Sequence, residues 1–294
     1  MVGSACFELF QDRGFTNIIT RARQSLDLSN ESEVNSYFEK EKPEVVIDAA
    51  ARVGGIWANN EFPYEFLMEN LLIQNNIIKA SHENQVKKFI FLGSSCIYPK
   101  LSPQPIKEDY LLTAPLEPTN QWYAIAKITG VKLCEAIFKK YKKQFIGLMP
   151  TNLYGPNDNF DLKSSHVLPA MIRKFHEAKK NNSKEVVLWG DGSSLREFLH
   201  VQDLARAVLF SIENDMEETL YNVGSGKELS IKELASTIAS TVGFNGNVNW
   251  DKSMPNGTPR KFLDSSQFLN LGWKPEISLK EGIKSTYKWY VENS

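Results

Sequence analysis

The chain has 294 residues, of which 42% are hydrophobic and 23% charged, and its formal net charge is −1. This composition is typical of a globular protein with an ample core, and it provides no basic field that would attract nucleic acid or an anionic membrane. No apolar run approaches the roughly 20 residues of a membrane span, no secretory signal is recognised, and three scattered cysteines predict neither a disulfide framework nor a metal site. We therefore expect a reduced, cytoplasmic protein.

The first half of the chain alternates predicted helices and strands. Residues 2–10 carry apolar side chains at helical spacing, and Gly3 with Ser4 predicts a turn that enters this helix. Further helices are predicted at 31–43, 65–85 and 120–143, and strands at 15–20, 44–50, 87–95 and 144–150. Alternation with short links favours parallel pairing and right-handed crossovers. The predicted fold class is α/β, with a doubly wound, Rossmann-like parallel sheet.

Beyond about residue 155 the pattern is less regular. Helices are predicted at 166–180, 201–213 and 229–243, and a strand at 185–190. The last helix opens with Ser230 and Glu233 in a capping-box pattern, and Gly243 is placed to cap its end. We divide the chain into a dinucleotide-binding domain, 1–154, and a smaller substrate-binding lobe, 155–294, with some elements of the lobe returning to the sheet.

The start of the chain lacks one expected element. In a doubly wound nucleotide-binding sheet, a first strand leads through a glycine-rich turn to a helix whose N-terminus faces the pyrophosphate. Gly3 corresponds to the last glycine of such a turn, and neither the strand nor the earlier glycines precede it. We expect that about a dozen residues, one strand and a turn, are missing before Met1. The alternative is that the chain simply starts with a helix.

Two arginines follow the predicted strand at 15–20. A carboxylate at this position would pair with the ribose 2′-hydroxyl of NAD, whereas arginine accommodates a 2′-phosphate. Arg21 and Arg23 therefore favour NADP(H), with solvated surface arginines as the alternative. A second glycine-bearing turn, AARVGG at 50–55, is expected to flank the dinucleotide from the other side.

A tyrosine and a lysine lie four residues apart in YAIAK, which places Tyr123 and Lys127 on one helix face. Upstream, Ser94 in LGSSC follows a buried strand, at the sheet edge where ligands bind in open α/β folds. A tyrosine can donate a proton to a developing alkoxide when a nearby ammonium lowers its pKa. The combination predicts hydride chemistry on a carbonyl group, with the serine hydroxyl holding the carbonyl oxygen.

YAIAK with its upstream serine resembles the extended short-chain dehydrogenase/reductase superfamily. Within it, the segments GSSCIYPK, LEPTN, YAIAK, MPTNLYGP, SHVLPA and REFLHV together resemble the GDP-L-fucose synthase family. The resemblance runs from Met1 to near Ser294. It implies epimerisation of GDP-4-keto-6-deoxy-D-mannose at C3 and C5, followed by NADPH-dependent reduction at C4. Members of this family are often homodimers, and the helices at 65–85 and 120–143 could form a four-helix interface.

The resemblance also implies roles for individual residues. Tyr123 corresponds to the reductase acid, Lys127 to its pKa-lowering and ribose-binding partner, Ser94 to the carbonyl-orienting hydroxyl, Cys96 to the epimerase base and His166 to the partner acid. A base on one face of the sugar ring can remove the proton next to the ketone. An acid on the other face can then return a proton from the opposite side. The expected cofactor-binding residues are Met1, Val2, Gly3, Arg23, Leu92, Gly93, Ser94, Ser95, Lys127, Pro150, Thr151, Asn152, Leu153 and His166.

The nucleotide-sugar end requires cations for a diphosphate and a flat surface for guanine. The family pattern places Lys174, Trp189, Arg196 and Lys261 there, although Trp189 could instead belong to the core of the lobe. The family's PDG motif reads PNG here, and the loss of a charge at Asn256 puts its binding role in doubt.

Two other functions stay open. One is a truncated, non-catalytic nucleotide-sugar-binding remnant that cannot hold NADPH. The other is a related epimerase or 4,6-dehydratase, which is disfavoured because dehydratases carry a threonine and acidic residues where this chain has Ser94, Ser95 and Cys96. The remaining cysteines, Cys6 and Cys134, are expected to be packed. His82, His176 and His200 are expected to be structural or on the surface.

Overall fold

The computed structural model describes residues 1–254 and 256–294, with the backbone alone for Ile56. Pro255, the first residue of the PNG motif, lies outside the described residues. The helices are α1 (Val2–Asp12), α2 (Glu31–Glu41), α3 (Ile56–Glu61), α4 (Pro63–Glu83), α5 (Gln121–Tyr141), α6 (Val167–Lys180), α7 (Val201–Glu213), α8 (Ile231–Val242), α9 (Ser266–Asn270) and α10 (Leu279–Asn293). The strands are β1 (Val45–Asp48), β2 (Lys88–Leu92), β3 (Gln144–Pro150), β4 (Asn152–Tyr154), β5 (Glu185–Trp189), β6 (Leu195–His200), β7 (Leu220–Val223), β8 (Glu228–Ser230), β9 (Asn247–Asp251) and β10 (Arg260–Lys261).

A parallel sheet of order β1-β2-β3-β7 forms the centre of the first half. Its strands are mostly apolar because helices cover both faces. In β2, Phe89 and Phe91 face the side packed by α2, α4 and α5. Ile90 and Leu92 face the opposite side, packed by α1 and α7. The predicted doubly wound α/β fold is confirmed.

The strand predicted at 15–20 is wrong. These residues follow α1 without regular structure and have no ladder partner among the described residues. A strand exists only through such pairing. Ile18 packs against the core beside α1 instead. Phe15 is exposed, and its ring lies 5.5 Å from that of Phe10 on α1.

The turn predicted at Gly3 and Ser4 is also wrong, because α1 begins at Val2 and both residues lie in its first turn. The four backbone N–H groups that open a helix have no intrahelical acceptor. Gly3 therefore lies at an end of α1 that offers free hydrogen-bond donors.

The second half contributes a smaller lobe. One sheet has the order β10-β6-β4, with β8 pairing antiparallel to β6, and a separate parallel pair joins β5 to β9. Its core lies among α6, α8 and α10. The capping box of Ser230 and Glu233 is confirmed, and Gly243 ends α8 with a left-handed φ of 76°. The sequence did not predict β4, β6 to β10, α9 or α10.

Elements of the second half return to the first sheet. β7 pairs with β3, and α7 packs against α1 and the sheet face. No described helix is both long and apolar enough to cross a bilayer. The carboxyl ends of β1, β2 and β3 all open at one edge of the sheet, because the three strands are parallel. The loops that follow these strands therefore meet at that edge.

Candidate active site

A tight turn at the end of β2 carries Ser94 and Cys96. The Gly93 N–H donates to the Leu148 carbonyl at 2.9 Å, and a side chain at Gly93 would overlap the thioether of Met149. A short 3₁₀ turn, Ser95–Ile97, follows, and the Cys96 N–H donates to Ser94 Oγ at 3.4 Å. The absence of a side chain at Gly93 thus lets the chain fold closely enough to fix the serine hydroxyl beside the thiol.

Helix α5 places Tyr123 and Lys127 one turn apart above the same strand end. Lys127 is only 3% exposed, and its Nζ donates to the Leu92 carbonyl at 2.8 Å. The ammonium lies 4.6 Å from the centre of the Phe91 ring and 5.8 Å from that of Tyr123. The predicted reductase residues are therefore brought to one place by contacts between α5 and β2.

The pKa values in this site are governed by burial. Burial raises the pKa of the Tyr123 phenol well above its usual value, and the charges of Cys96 and Asp48 act in the same direction. Burial lowers the pKa of Lys127, against the opposing effect of Asp48 and Cys96. Tyr123 is thus held protonated, which is the state required of a general acid.

Cys96 and His166 share one cationic neighbour, Lys261. Burial raises the pKa of the Cys96 thiol, while the positive charges of Lys261 and Lys127 oppose this shift. His166 is exposed and lies directly before α6. There, the surrounding protein and then the charge of Lys261 lower the pKa of the imidazole. The charge of Lys261 therefore acts on both candidate acid/base residues.

The loop before His166 is tied to the glycine turn after β1. The Gly55 N–H donates to the Ser164 carbonyl at 3.0 Å, and a side chain on Gly55 would press on the carbonyls of Ser164 and Ser165. The sequence did not foresee this contact. It connects the AARVGG turn, expected to flank the dinucleotide, with the proposed partner acid.

The residues expected to bind the dinucleotide lie along the same edge of the sheet. Met1, Val2 and Gly3 form the N-terminal end of α1, where Gly3 approaches Ala49, just beyond β1. The Arg23 guanidinium is exposed and lies 3.8 Å from Glu69 Oε2. Its neighbour Arg21 is instead bonded to Glu41 of α2 at 3.1 Å.

The PTNL segment crosses from the first sheet into the lobe. Pro150 ends β3 and Leu153 lies in β4. The Thr151 N–H donates to the Val223 carbonyl at 3.0 Å, while Thr151 Oγ1 and Asn152 Nδ2 donate to the Glu197 carbonyl at 3.2 and 2.8 Å. These bonds fix the segment between the two sheets, next to the turn that carries Ser94.

The predicted nucleotide end lies on the lobe. Trp189, the last residue of β5, is 61% exposed, so the alternative that it belongs to the lobe core is wrong. Lys174 Nζ lies 6.0 Å from the centre of its ring. Arg196 on β6 pairs in register with Lys261 on β10.

Asn256 has a structural contact that the sequence did not reveal. Its Oδ1 accepts the Asp191 N–H at 2.7 Å, and its main-chain carbonyl accepts the Ser194 hydroxyl at 2.9 Å. The side chain thus holds the turn after Trp189. An aspartate could accept the same bond, so this contact explains why either residue suits the position. A substrate-binding role for Asn256 stays a prediction.

Three further residues near the site were missed. Asp48 is a buried carboxylate at the end of β1. Arg52 pairs with Glu69 at 2.6 Å, on the other side of that carboxylate from Arg23. Glu197 is fully buried and accepts the N–H groups of Gly226 and Leu263, at 2.8 and 3.3 Å. Of these three residues, only Asp48 could have been found from the sequence, because it is an acidic residue inside the apolar run EVVIDAA.

The remaining titratable candidates are placed as structural residues. Cys6 and Cys134 are buried in the two cores that cover the sheet, and burial raises the pKa of Cys6 to about 12. His200 caps α7 by accepting the Gln202 N–H, and His176 meets the Tyr287 hydroxyl at 3.1 Å. No cluster of three or more metal-ligating side chains occurs within 1–254 and 256–294.

A doubly wound sheet with a serine turn and a Tyr–Lys helix pair at its strand ends defines a Rossmann-type dehydrogenase or reductase. A model of the NAD dependent epimerase/dehydratase family matches residues 1–224. A putative GDP-L-fucose synthase 2 of Arabidopsis thaliana is 56% identical over 293 residues, spanning all of this chain and 89% of the relative. The chain therefore belongs to the NAD dependent epimerase/dehydratase family and, within it, to the GDP-L-fucose synthase family.

Two further relatives agree. The GDP-L-fucose synthase of Escherichia coli K12 is 49% identical over 302 residues, covering all of this chain and 94% of the relative. The crystal structure of a GDP-L-fucose synthetase from Naegleria fowleri bound to NADP superposes with a TM-score of 0.91 at 30% identity, covering 99% of this chain and 91% of that one. Nothing in these similarities favours a non-catalytic remnant.

Proposed function

We propose that the protein epimerises GDP-4-keto-6-deoxy-D-mannose at C3 and C5 and then reduces C4 with NADPH, giving GDP-L-fucose. The observation that carries this proposal is that Tyr123 and Lys127 lie at the end of β2, where the turn with Ser94 and Cys96 follows. In the proposal, Tyr123 and Lys127 form one acid/base set. Cys96 and His166, both influenced by the charge of Lys261, form a second set. A simple reductase needs the first set alone. The names of the full-length relatives support the same function.

In the epimerisation, Cys96 and His166 act from opposite faces of the sugar ring. The Cys96 thiolate takes the proton from the carbon next to the C4 ketone, and the electron pair moves to the ketone oxygen as an enolate. The Ser94 hydroxyl donates to that oxygen. His166 returns a proton to the carbon from the other face, and Lys261 favours the thiolate form of Cys96.

In the reduction, Tyr123 protonates the C4 oxygen. NADPH supplies the hydride when it is bound. The chain fits this cofactor because the free N–H groups at the start of α1 suit a diphosphate, and Arg23 is an exposed cation that suits a 2′-phosphate. Lys127, fixed on the Leu92 carbonyl, places positive charge beside Tyr123 and stabilises the phenolate that remains after the proton has left.

The lobe binds the nucleotide of the substrate in this proposal. Residues 1–154 hold NADP(H), and residues 155–294 mainly hold the GDP-sugar. The exposed face of Trp189 accepts guanine, and Lys174, Arg196 and Lys261 face the diphosphate. Burial lowers the pKa values of all three cations, and a bound diphosphate would supply the negative charge that their environment lacks.

We also propose a homodimer in the cytoplasm. Helices α4 and α5 pack side by side and expose apolar side chains at Tyr64, Leu72, Trp122 and Ile125. Covering such a surface with a second copy removes it from water. All three cysteines are free thiols, which is the state that a reducing compartment maintains. Sedimentation of the purified 33.4 kDa chain distinguishes one copy from two.

The proposed function is tested with the purified chain and GDP-4-keto-6-deoxy-D-mannose. In D₂O without NADPH, we expect deuterium to enter C3 and C5 of the sugar. With NADPH, we expect its oxidation and the formation of GDP-L-fucose. NADPH oxidation without deuterium entry would identify a C4 reductase instead. Absence of both reactions would contradict the proposal as a whole.

The role of Arg23 predicts a change in cofactor preference. Arg23→Ala should raise the KM for NADPH roughly tenfold to a hundredfold, because a charge-assisted hydrogen bond to the 2′-phosphate is lost. The KM for NADH should stay unchanged. Arg21→Ala is the matched control, since Arg21 is bonded to Glu41. Equal effects of the two substitutions, or of Arg23→Ala on both cofactors, would contradict this role.

A further inference from the structure

A carboxylate is buried at the end of β1, where an apolar residue would suit the environment. Asp48 is only 2% exposed. Its Oδ1 accepts the Ala50 N–H at 3.1 Å, while its Oδ2 is buried and has no hydrogen-bond partner within 1–254 and 256–294. Burial raises the pKa of this carboxyl, and the charge of Lys127 opposes the shift. A buried carboxylate keeps its charge only where a cation compensates for the lost water. Asp48 therefore requires an explanation beyond the packing of the strand.

The register of the sheet shows which face Asp48 occupies. Asp48 lies directly opposite Phe91 in the parallel pair of β1 and β2, and residues that are paired across parallel strands point to the same face. The Phe91 ring lies under Lys127, 4.6 Å from its Nζ. It is also packed so closely by α5 that a side chain at Gly130 would overlap it. Asp48 thus faces the underside of α5, beside Lys127.

Lys127 requires a counter-charge. The residue is only 3% exposed, and its ammonium donates to the Leu92 carbonyl. No carboxylate lies within ion-pair distance of it among the described residues. The ionisable groups that interact with Asp48 are Lys127, Tyr123 and Cys134, all on α5. Nearby Arg52 is already paired with Glu69.

We propose that Asp48 is a positioning residue of the reductase, whose buried carboxylate supplies the negative charge that keeps Lys127 protonated beside Tyr123. This inference rests on the proposed reduction step. Burial lowers the pKa of Lys127, and Asp48 is the largest influence that raises it. Asp48 also raises the pKa of Tyr123 directly. Removing its charge should lower the proton affinity of both groups.

The first test is the pH profile of ketone reduction in Asp48→Asn. Reduction needs protonated Tyr123 beside a charged Lys127. Burial raises the pKa of Tyr123 and lowers that of Lys127, so activity falls on the alkaline side when Lys127 loses its proton. Without the carboxylate, this decline in activity should occur about one pH unit lower. At a pH above the midpoint of the decline, the variant should therefore be about tenfold less active than the parent. Deuterium exchange, which uses Cys96 and His166, should change much less. Asp12→Asn, on the exposed side of α1, is the matched control. A profile that superposes on that of the parent would overturn the proposal.

The second test needs no activity. Melting temperatures are compared for Asp48→Asn, Lys127→Met and the double variant. Lys127→Met alone leaves the carboxylate buried without its cation, so we expect the double variant to melt higher than the sum of the single effects predicts. Failure of Asp48→Asn to fold, together with folding of the double variant, would support the same coupling. Additive shifts, or equal failure of all three, would overturn it. Because melting is independent of turnover, a protein that reduces nothing would refute the proposed function and leave this test intact.

Discussion

Tyr123→Phe is expected to lower the rate of ketone reduction by about 10²- to 10⁴-fold, the usual contribution of a positioned general acid. The substitution removes the hydroxyl that protonates the C4 oxygen and keeps the ring that packs edge-on against Phe66, 6.4 Å away. Stability should therefore change little. The measurement is single-turnover oxidation of NADPH with the epimerised ketone, at saturating concentrations.

The same variant should still exchange deuterium into the sugar, because Cys96, His166 and Ser94 are untouched. Tyr141→Phe is the matched control, since Tyr141 is 47% exposed at the end of α5; it should leave both reactions unchanged. Retention of reduction in Tyr123→Phe would show that another group donates the proton. Loss of reduction with an equal loss of exchange would show that Tyr123 acts in both steps.

Cys96→Ser is expected to have the opposite pattern. A serine hydroxyl fits the same space but is far too weak an acid to form the anion that removes a proton next to the ketone. Deuterium entry at C3 and C5 should fall by about 10²- to 10⁴-fold, while reduction of an already epimerised ketone continues. Mass spectrometry of the sugar after incubation in D₂O measures the first reaction, and NADPH oxidation measures the second.

The pH dependence of exchange gives an independent check on Cys96. Burial raises the pKa of its thiol, and Lys261 lowers it. Exchange should therefore increase with pH as the thiolate forms, and Lys261→Met should move this increase to higher pH. Cys6→Ser is the control, because Cys6 lies on the buried face of α1. It should cost stability and leave exchange in the folded protein unchanged. Equal loss of exchange and reduction in Cys96→Ser would contradict the assignment.

The positions of the main helices and the buried strands could be predicted from the sequence alone. The apolar residues of α4 and α5 repeat with a period of 3.6, and β2 and β3 contain continuous apolar runs. Each pattern reflects the burial of that one element, so it can be read without knowing the rest of the fold. The capping box of α8 is local as well. For the same reason, the Tyr–Lys pair on α5 could be assigned to one helix face before any fold was known.

The strand predicted at 15–20 shows where local reasoning failed. Its sequence is apolar enough for a strand, but a strand needs a hydrogen-bonded neighbour. Ile18 of this segment instead packs against the core beside α1. The short strands β4, β8 and β10 were missed for a related reason, since three residues or fewer carry too little periodicity to be recognised.

The sequence by itself determined the class of fold, the Tyr–Lys pair and the motifs that resemble one enzyme family. Only the tertiary structure decided that the charge of Lys261 acts on both Cys96 and His166 and that Trp189 is exposed. It also placed Asp48 on the face of the sheet that α5 and Lys127 cover, through the pairing of β1 with β2. The physical reason is that the hydrophobic periodicity of a helix or strand depends only on which of its own faces is buried. Charges that meet across 79 residues of chain interact only after parallel strands and a covering helix have brought them together.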